Sequence, residues 1–200
     1  YRCAGVSLHD MYGFQFLRDT QYLPADVKAS ASQFVRNDEG LLVWVGLDAS
    51  GNPKKYTEGE VATGGWGTST TLGTSSFAWG MPVLRRDATG SAAVVKMGNA
   101  LPDFKWGIAS TMSWRNLELV TLIDAAVGGD AYNQTNQRMY QWGKSKDVDQ
   151  TGKKQELKKP VEYYIALYSA ADPTDYFVED AGFVKLREVS LRYQLTGLLL

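Results

Sequence analysis

Residues 104–128 constrain this chain more than any other stretch, because two long alternating runs meet there across Arg115-Asn116. In the first run Phe104, Trp106, Ile108, Met112 and Trp114 fall on one face, and Lys105, Gly107, Ala109, Thr111 and Ser113 on the other. Leu117, Leu119, Ile123, Ala125 and Val127 resume the apolar face in the second run, opposite Glu118 and Asp124. Successive side chains of a strand point to opposite faces, so both runs predict strands with one greasy and one wettable side. Two settings accept such a strand: half of a soluble β-sandwich, or the wall of a membrane β-barrel with lipid outside and water inside. Length bears on the choice. Soluble strands run to about 5–6 residues, while a tilted membrane-crossing strand needs about 9–11. Both runs match the longer figure, and Trp106 and Trp114 lie towards the ends of the first, where interfacial aromatics belong.

A third run, Phe183 to Leu195, has the same character: Val189, Leu191, Tyr193 and Leu195 face one way, and Glu188, Ser190, Arg192 and Gln194 the other. Loop lengths separate the settings further. Arg115-Asn116 is a minimal connection, whereas 46–103 and 129–182 each run to about fifty residues. Short turns at one rim and long loops at the other mark bacterial outer-membrane barrels, and compact soluble domains connect elements through about 4–6 residues. The expected fold is therefore all-β: antiparallel strands of an incomplete transmembrane β-barrel, with long extracellular loops containing short helices.

Composition removes several function classes. A net charge of −1 offers nothing to a phosphate backbone, and Lys153-Lys154 and Lys158-Lys159 read as solvated loop. No apolar run reaches the roughly 18 residues of a transmembrane helix, which leaves barrels untouched. Cys3 and His9 are the single cysteine and histidine, so there is no internal disulfide and no thiolate metal site, and His9 reads as an exposed loop residue. Asp147 to Gly152 opens like a calcium loop but carries Lys158 where the bidentate Glu is needed. Gly64-Gly65-Trp66-Gly67 lacks the Lys and Ser/Thr of a phosphate loop. Asn133-Gln134-Thr135 fits a glycosylation sequon, a triplet common by chance. No carboxylate pair or nucleophile–base set stands at a recognisable spacing, so no enzyme, cofactor or metal is expected.

Elsewhere the expected elements are short. They are a strand over 11–17, a helix from Pro24 to about Ala31, a strand over Leu41 to Val45, loop from 46 to 91, and a strand from Ala92 to Met97. A helix is expected over Gln134–Trp142, stopped by Gly143. A second opens at Pro160, with Val161, Tyr164, Ile165 and Tyr168 at helical spacing.

Three blocks carry a family resemblance. Gly98–Gly107 (GNALPDFKWG), Asp124–Thr135 (DAAVGGDAYNQT) and Val178–Leu195 (VEDAGFVKLREVSLRYQL) resemble, in order and spacing, the carboxy-terminal half of the barrel in SusC/RagA-type TonB-dependent outer-membrane receptors. Leu8 to Phe16 and Asn37 to Gly46 look like the external-loop region that precedes those strands. The resemblance implies part of one receptor barrel: 1–103 mostly extracellular loop with short strands, 104–128 a transmembrane hairpin, 129–182 an extracellular loop, and 183–195 a transmembrane strand. It implies a barrel of about 22 strands around a plug, import of a glycan, peptide or similar nutrient, energy from the TonB complex, and a SusD-like surface lipoprotein as partner. No plug, TonB-box segment or final strands are recognisable, so a piece of a longer receptor is expected. Glu118, Asp124, Glu188 and Arg192 would line the lumen. Trp44, Trp66, Trp79, Tyr132, Tyr140 and Trp142 would be vestibule aromatics that stack on ligand, with core packing as the competing reading for each. A soluble extracellular β-sandwich that binds carbohydrate is the alternative. It requires the apolar faces of the hairpin to be covered by a second sheet.

Overall fold

A computed structural model describes residues 6–52, 65–168 and 173–195; Cys3, Pro53 and Gly64 lie outside them. Among the described residues there are thirteen strands and α-helices, the strands dominating. In chain order they are β1 Asp10–Phe14, β2 Phe34–Arg36, β3 Leu42–Trp44, β4 Ser69–Leu72, β5 Ser75–Ala78, β6 Val94–Asn99, β7 Phe104–Trp114, β8 Leu117–Val127, β9 Asp130–Tyr132, α1 Gln134–Gln141, α2 Val161–Leu167, β10 Val178–Asp180 and β11 Phe183–Tyr193. The chain divides into two compact units. The first takes Tyr12–Met97 and Asn133–Val178; the second takes the remaining described segments, including all of β7, β8 and β11.

The first unit is built on a small apolar core. Leu41 to Val45 is buried throughout, as expected of a short continuous apolar run, although only Leu42–Trp44 is paired as strand, against β2. Leu17, Leu23, Val27, Phe34, Phe77 and Val83 pack with it. Phe34 meets Phe77 edge to face at 5.1 Å. Three expectations fail here. The stretch from Pro24 is not an α-helix: Pro24 O accepts from both Val27 N and Lys28 N, and a 3-10 segment over Lys28–Gln33, broken at Ser30, follows. Leu23 and Val27 are its apolar anchors, and the polar run after them has no stripe to bury. The 46–91 stretch is not all loop, since β4 and β5 form an antiparallel hairpin whose Ser/Thr-rich sequence hides a single buried ring, Phe77. The strand over 11–17 ends at Phe14, because Phe16 and Leu17 are both buried and alternation stops.

Both helices form where expected, with one phase error. Asn133 caps α1 through a 2.8 Å bond from Asn136 N, so the sequon asparagine serves as an N-cap. In α2 the buried residues are Tyr163, Tyr164 and Leu167, while Val161 and Ile165 are more than half exposed. The stripe of Val161, Tyr164, Ile165 and Tyr168 is thus rotated. The two tyrosines go inward because their hydroxyls find partners there: Glu39 and Asn37 for Tyr163, and Gln150 for Tyr164.

The second unit is an antiparallel sheet in the order β11-β8-β7. Each strand is eleven residues long, as the periodicity predicts for the hairpin. Arg115, at φ 54, carries the turn with Asn116, whose side chain and carbonyl also bond Gln194 beyond the end of β11. At the other end Gly128 and Gly129 leave β8 at φ 72 and 83, and a Cβ on Gly128 would collide with the Asp103 carboxylate. Among the described residues the sheet does not close, and β7 and β11 each have one neighbour in it.

Candidate membrane face and loop cleft

Register decides what the three long strands present. Trp114 pairs with Leu117 and Leu117 with Tyr193; Met112 pairs with Leu119 and Leu119 with Leu191; Ile108 pairs with Ile123 and Ile123 with Leu186; Trp106 pairs with Ala125 and Ala125 with Val184. Paired residues point the same way, so these apolar side chains share one face. The match across β11 depends on a bulge. Val189, Leu191 and Tyr193 are odd-numbered, whereas Val184 and Leu186 are even, and the register slips between Leu186 and Glu188. Arg187 is the extra residue, and its insertion lets both halves of the strand turn their aliphatic groups to the same side. Unbroken alternation from Val189 down to Phe183 would have put Lys185 and Arg187 there instead.

This face is uncovered. Phe104, Trp106, Ile108, Met112, Trp114, Val127, Val184, Leu186, Val189, Leu191 and Tyr193 are between 37% and 70% exposed. Full burial of such side chains contributes about 1.5–3 kcal/mol each, and an ordinary domain holds only about 5–15 kcal/mol of net stability. A contiguous exposed apolar face of this extent marks a surface that a second layer, a partner or lipid would cover. The soluble sandwich needs a second sheet over these residues, and none lies over them among the described residues.

The opposite face is charged and paired. Glu118 lies opposite Arg192, Leu122 opposite Glu188, and Asp124 opposite Lys185, which brings all four expected lumen residues to one side. Arg187 pairs with Asp124 at 2.7 Å and Arg192 with Glu118 at 3.7 Å. All four of these side chains are more than a third exposed, so each pair adds at most a few tenths to about 1 kcal/mol; their value is as a wettable wall.

Aromatic groups stand at both ends of the apolar face. Trp114 and Tyr193 share the turn end, and Phe104 and Trp106 the other. Ten residue steps from Phe104 to Trp114, at about 3.3 Å each and tilted about 40°, span about 25 Å, the height of an outer-membrane barrel's apolar band.

The six aromatics expected at a vestibule differ in exposure. Trp44 (its Nε1 donating to Gln33 Oε1 at 2.9 Å), Trp79 and Tyr140 are buried. Trp66 is half-buried and meets Trp79 edge to face at 5.1 Å. Tyr132 is half-buried. Trp142, at 68% exposure, keeps an open ring.

Sequence reasoning missed the polar centre of the first unit. Lys159, read as solvated loop, is buried and sits 2.8 Å from the Asp38 carboxylate and 3.2 Å from Glu39. Glu39 also accepts from Tyr163 Oη at 2.7 Å and Tyr176 Oη at 3.4 Å. Tyr176 contacts Tyr140 at 3.2 Å, and Tyr140 donates to Asp147 at 2.7 Å. Asn37 shapes the turn that presents Asp38 and Glu39, accepting from Glu39 N and Leu41 N and donating to Tyr163 Oη at 2.7 Å. Asp38, Glu39, Asp147, Lys153, Lys159 and Tyr176 border a cavity of about 340 Å³. Asp147 thus accepts from the Tyr140 hydroxyl, and Asp149 accepts from Thr151 N in a turn. No group of metal-ligating residues occurs among the described residues. The network joins segments about 120 residues apart in sequence and acts as a clamp.

Burial opposes the charge on Lys159, but the hydrogen bond it donates to Asp38 and the charges of Glu39 and Asp38 outweigh it and raise its pKa. Burial, reinforced by the neighbouring carboxylates, raises Tyr163 and Tyr176 far above the ordinary phenol value. A pKa raised by folding gives stability that is full below the unfolded value, about 10 for both residue types, and is lost as pH climbs towards the folded value. The first unit is therefore expected to hold constant stability from neutral pH to about pH 10 and to weaken above it. Tyrosinate absorbance rising together with loss of near-UV dichroism checks this; free titration of all eleven tyrosines near pH 10 in a folded protein would contradict it.

Compared with known proteins, the chain matches no family model, no curated protein and no solved structure.

Proposed function

We propose that β7, β8 and β11 are membrane-crossing strands in the wall of an outer-membrane importer of the SusC/RagA TonB-dependent type, and that the first unit forms part of its external vestibule. The observation that carries this reading is the sheet itself: eleven large apolar side chains uncovered on one face, charged pairs confined to the other, and aromatic groups at both ends of a band about 25 Å tall. Both segments of the first unit connect at the glycine end of the strands, opposite the two-residue turn, which is the loop asymmetry of such barrels. The open edges of β7 and β11 require further strands, because unpaired backbone in hydrocarbon costs several kcal/mol per group. Nutrient uptake powered by the TonB complex, with a SusD-like lipoprotein at the surface, belongs to the same proposal.

Site-directed labelling in outer-membrane vesicles tests it, in a Cys3→Ser background. Ile108→Cys and Met112→Cys are expected to resist a water-soluble maleimide, and Thr111→Cys and Ser113→Cys to react. Equal labelling of both sets, or recovery of the protein in the soluble fraction, would remove the membrane assignment. Unchanged nutrient uptake after deletion of the gene would count against transport.

A further inference from the structure

The buried lysine of the first unit is placed for chemistry that an ion pair does not use. Lys159 Nζ lies 2.8 Å from Asp38 Oδ1 and 2.8 Å from Asp38 Oδ2, and its side chain is 2% exposed. Equal distances to both oxygens set the nitrogen against the carboxyl carbon, not off one end of the group. Glu39 Oε1 stands 3.2 Å from the same nitrogen. The surrounding bonds fix all three residues. Lys159 N donates to Gln150 Oε1 at 2.9 Å, and Nζ lies 5.2 Å from the Tyr163 ring centroid. Asn37 Oδ1 accepts from Glu39 N and Leu41 N, which holds the turn, and Tyr163 Oη donates to Glu39 Oε2 at 2.7 Å. The pairs Arg18–Asp175, Arg187–Asp124 and Arg192–Glu118 use a guanidinium, which stays protonated and cannot attack a carboxyl carbon. Lys159 instead brings an amine, which becomes a nucleophile once it gives up a proton.

We propose that Lys159 and Asp38 condense into an intramolecular isopeptide bond, with Glu39 as the proton carrier. The ion pair is the reactant. Asp38 and Glu39 hold Lys159 protonated at rest, so the step begins with transfer of one proton from Nζ to Glu39 Oε1. The freed lone pair attacks Asp38 Cγ, and the N–C bond forms. One Asp38 oxygen then leaves as water, taking the proton held by Glu39 and a second proton from Nζ. The Cγ–O bond breaks, an amide N–H remains, and Glu39 is a carboxylate again. One ammonium and one carboxylate have become a neutral amide and a water, and nothing is oxidised or reduced. Contact within a folded site replaces a bimolecular encounter, an advantage that reaches effective concentrations of about 10⁵–10⁸ M for well-oriented pairs. Each molecule needs a single event, so a rarely populated neutral pair is enough, and an amide once formed hydrolyses slowly at neutral pH. Asp38, Glu39 and Lys159 border the cavity of about 340 Å³, which gives the released water an exit. The product ties together positions 121 residues apart. With Cys3 as the single cysteine, no internal disulfide can do the same.

All three residues belong to the first unit, so the bond stands or falls apart from the membrane assignment. Mass spectrometry of the full-length protein purified from its native host tests it. A tryptic digest of the wild type is expected to contain one branched species, joining the peptide that carries Asp38 to the peptide that carries Lys159 and lighter than their sum by one water. Lys159→Arg and Asp38→Ala are expected to lack it. Asp38→Asn is expected to form it with loss of ammonia in place of water, giving a branched peptide identical in mass to the wild-type one. Glu39→Gln, which has no carboxylate to take the proton, is expected to link about 100-fold more slowly, read as the unlinked peptides in freshly made protein. The wild-type digest needs no variant, so a folding defect in any of them leaves the test intact. Recovery of both peptides unlinked from the folded wild-type protein would overturn the proposal, and a linked fraction unchanged in Glu39→Gln would remove Glu39 from the step.

Discussion

Ile108→Arg is expected to destabilise the folded protein in bilayers by about 2–4 kcal/mol, whereas Ala109→Arg, one residue along the same strand, is expected to cost less than about 1 kcal/mol. Ile108 pairs with Ile123, which pairs with Leu186, close to the middle of the apolar band. A guanidinium there has no water in the proposed setting and must thin the bilayer or drag in solvent. Ala109 points to the charged face, where Glu118 and Asp124 already reside with arginine partners. Urea titration of the protein folded into short-chain phosphatidylcholine vesicles reads the difference. In a soluble sandwich with the apolar face covered, Ile108→Arg is also costly. The discriminating measurement is therefore wild-type folding itself, which is expected to require lipid or detergent and to fail in buffer.

The second large effect is expected at Lys159. Lys159→Met removes the cation that neutralises Asp38 and Glu39 and is expected to destabilise the first unit by about 3 kcal/mol, in line with breaking a buried pair from one side. Glu39 would then face the Tyr163 and Tyr176 hydroxyls without its ammonium partner, and partial exposure of both carboxylates keeps the cost below the extreme. Tyr163→Phe is expected to cost about 1–3 kcal/mol, because Asn37 Nδ2 and Glu39 each lose a buried partner. Limited proteolysis across 133–178 reports both. Unchanged protection in Lys159→Met would show that the clamp contributes little.

Strand faces were legible because a pleated strand alternates with period two, so Phe104–Trp114 and Leu117–Val127 announced their sides and their length. The same arithmetic brought Glu118, Asp124, Glu188 and Arg192 to one face. It stopped at the bulge: nothing in Phe183–Tyr193 marks Arg187 as the unpaired residue until β8 is laid beside it. Periodicity also misjudged α2, where both stripes are apolar and the choice went to the tyrosines with hydrogen-bonding partners inside. Tryptophan content left ligand contact and core packing both open for each ring, and only the three-dimensional packing shows Trp44 and Trp79 to be buried.

Local sequence alone determined that this chain makes long two-faced strands joined by a tight turn, since alternation and turn chemistry act between neighbours. Tertiary structure alone decided that two stretches read as separate loops form one unit, that Lys159 is buried while Lys158 is not, and that Asp26 and Asp87 flank one cleft. Those outcomes depend on pairings between residues tens to more than a hundred positions apart, such as Glu39 with Tyr163 and Asp26 with Thr74, and no short-range pattern encodes such distances.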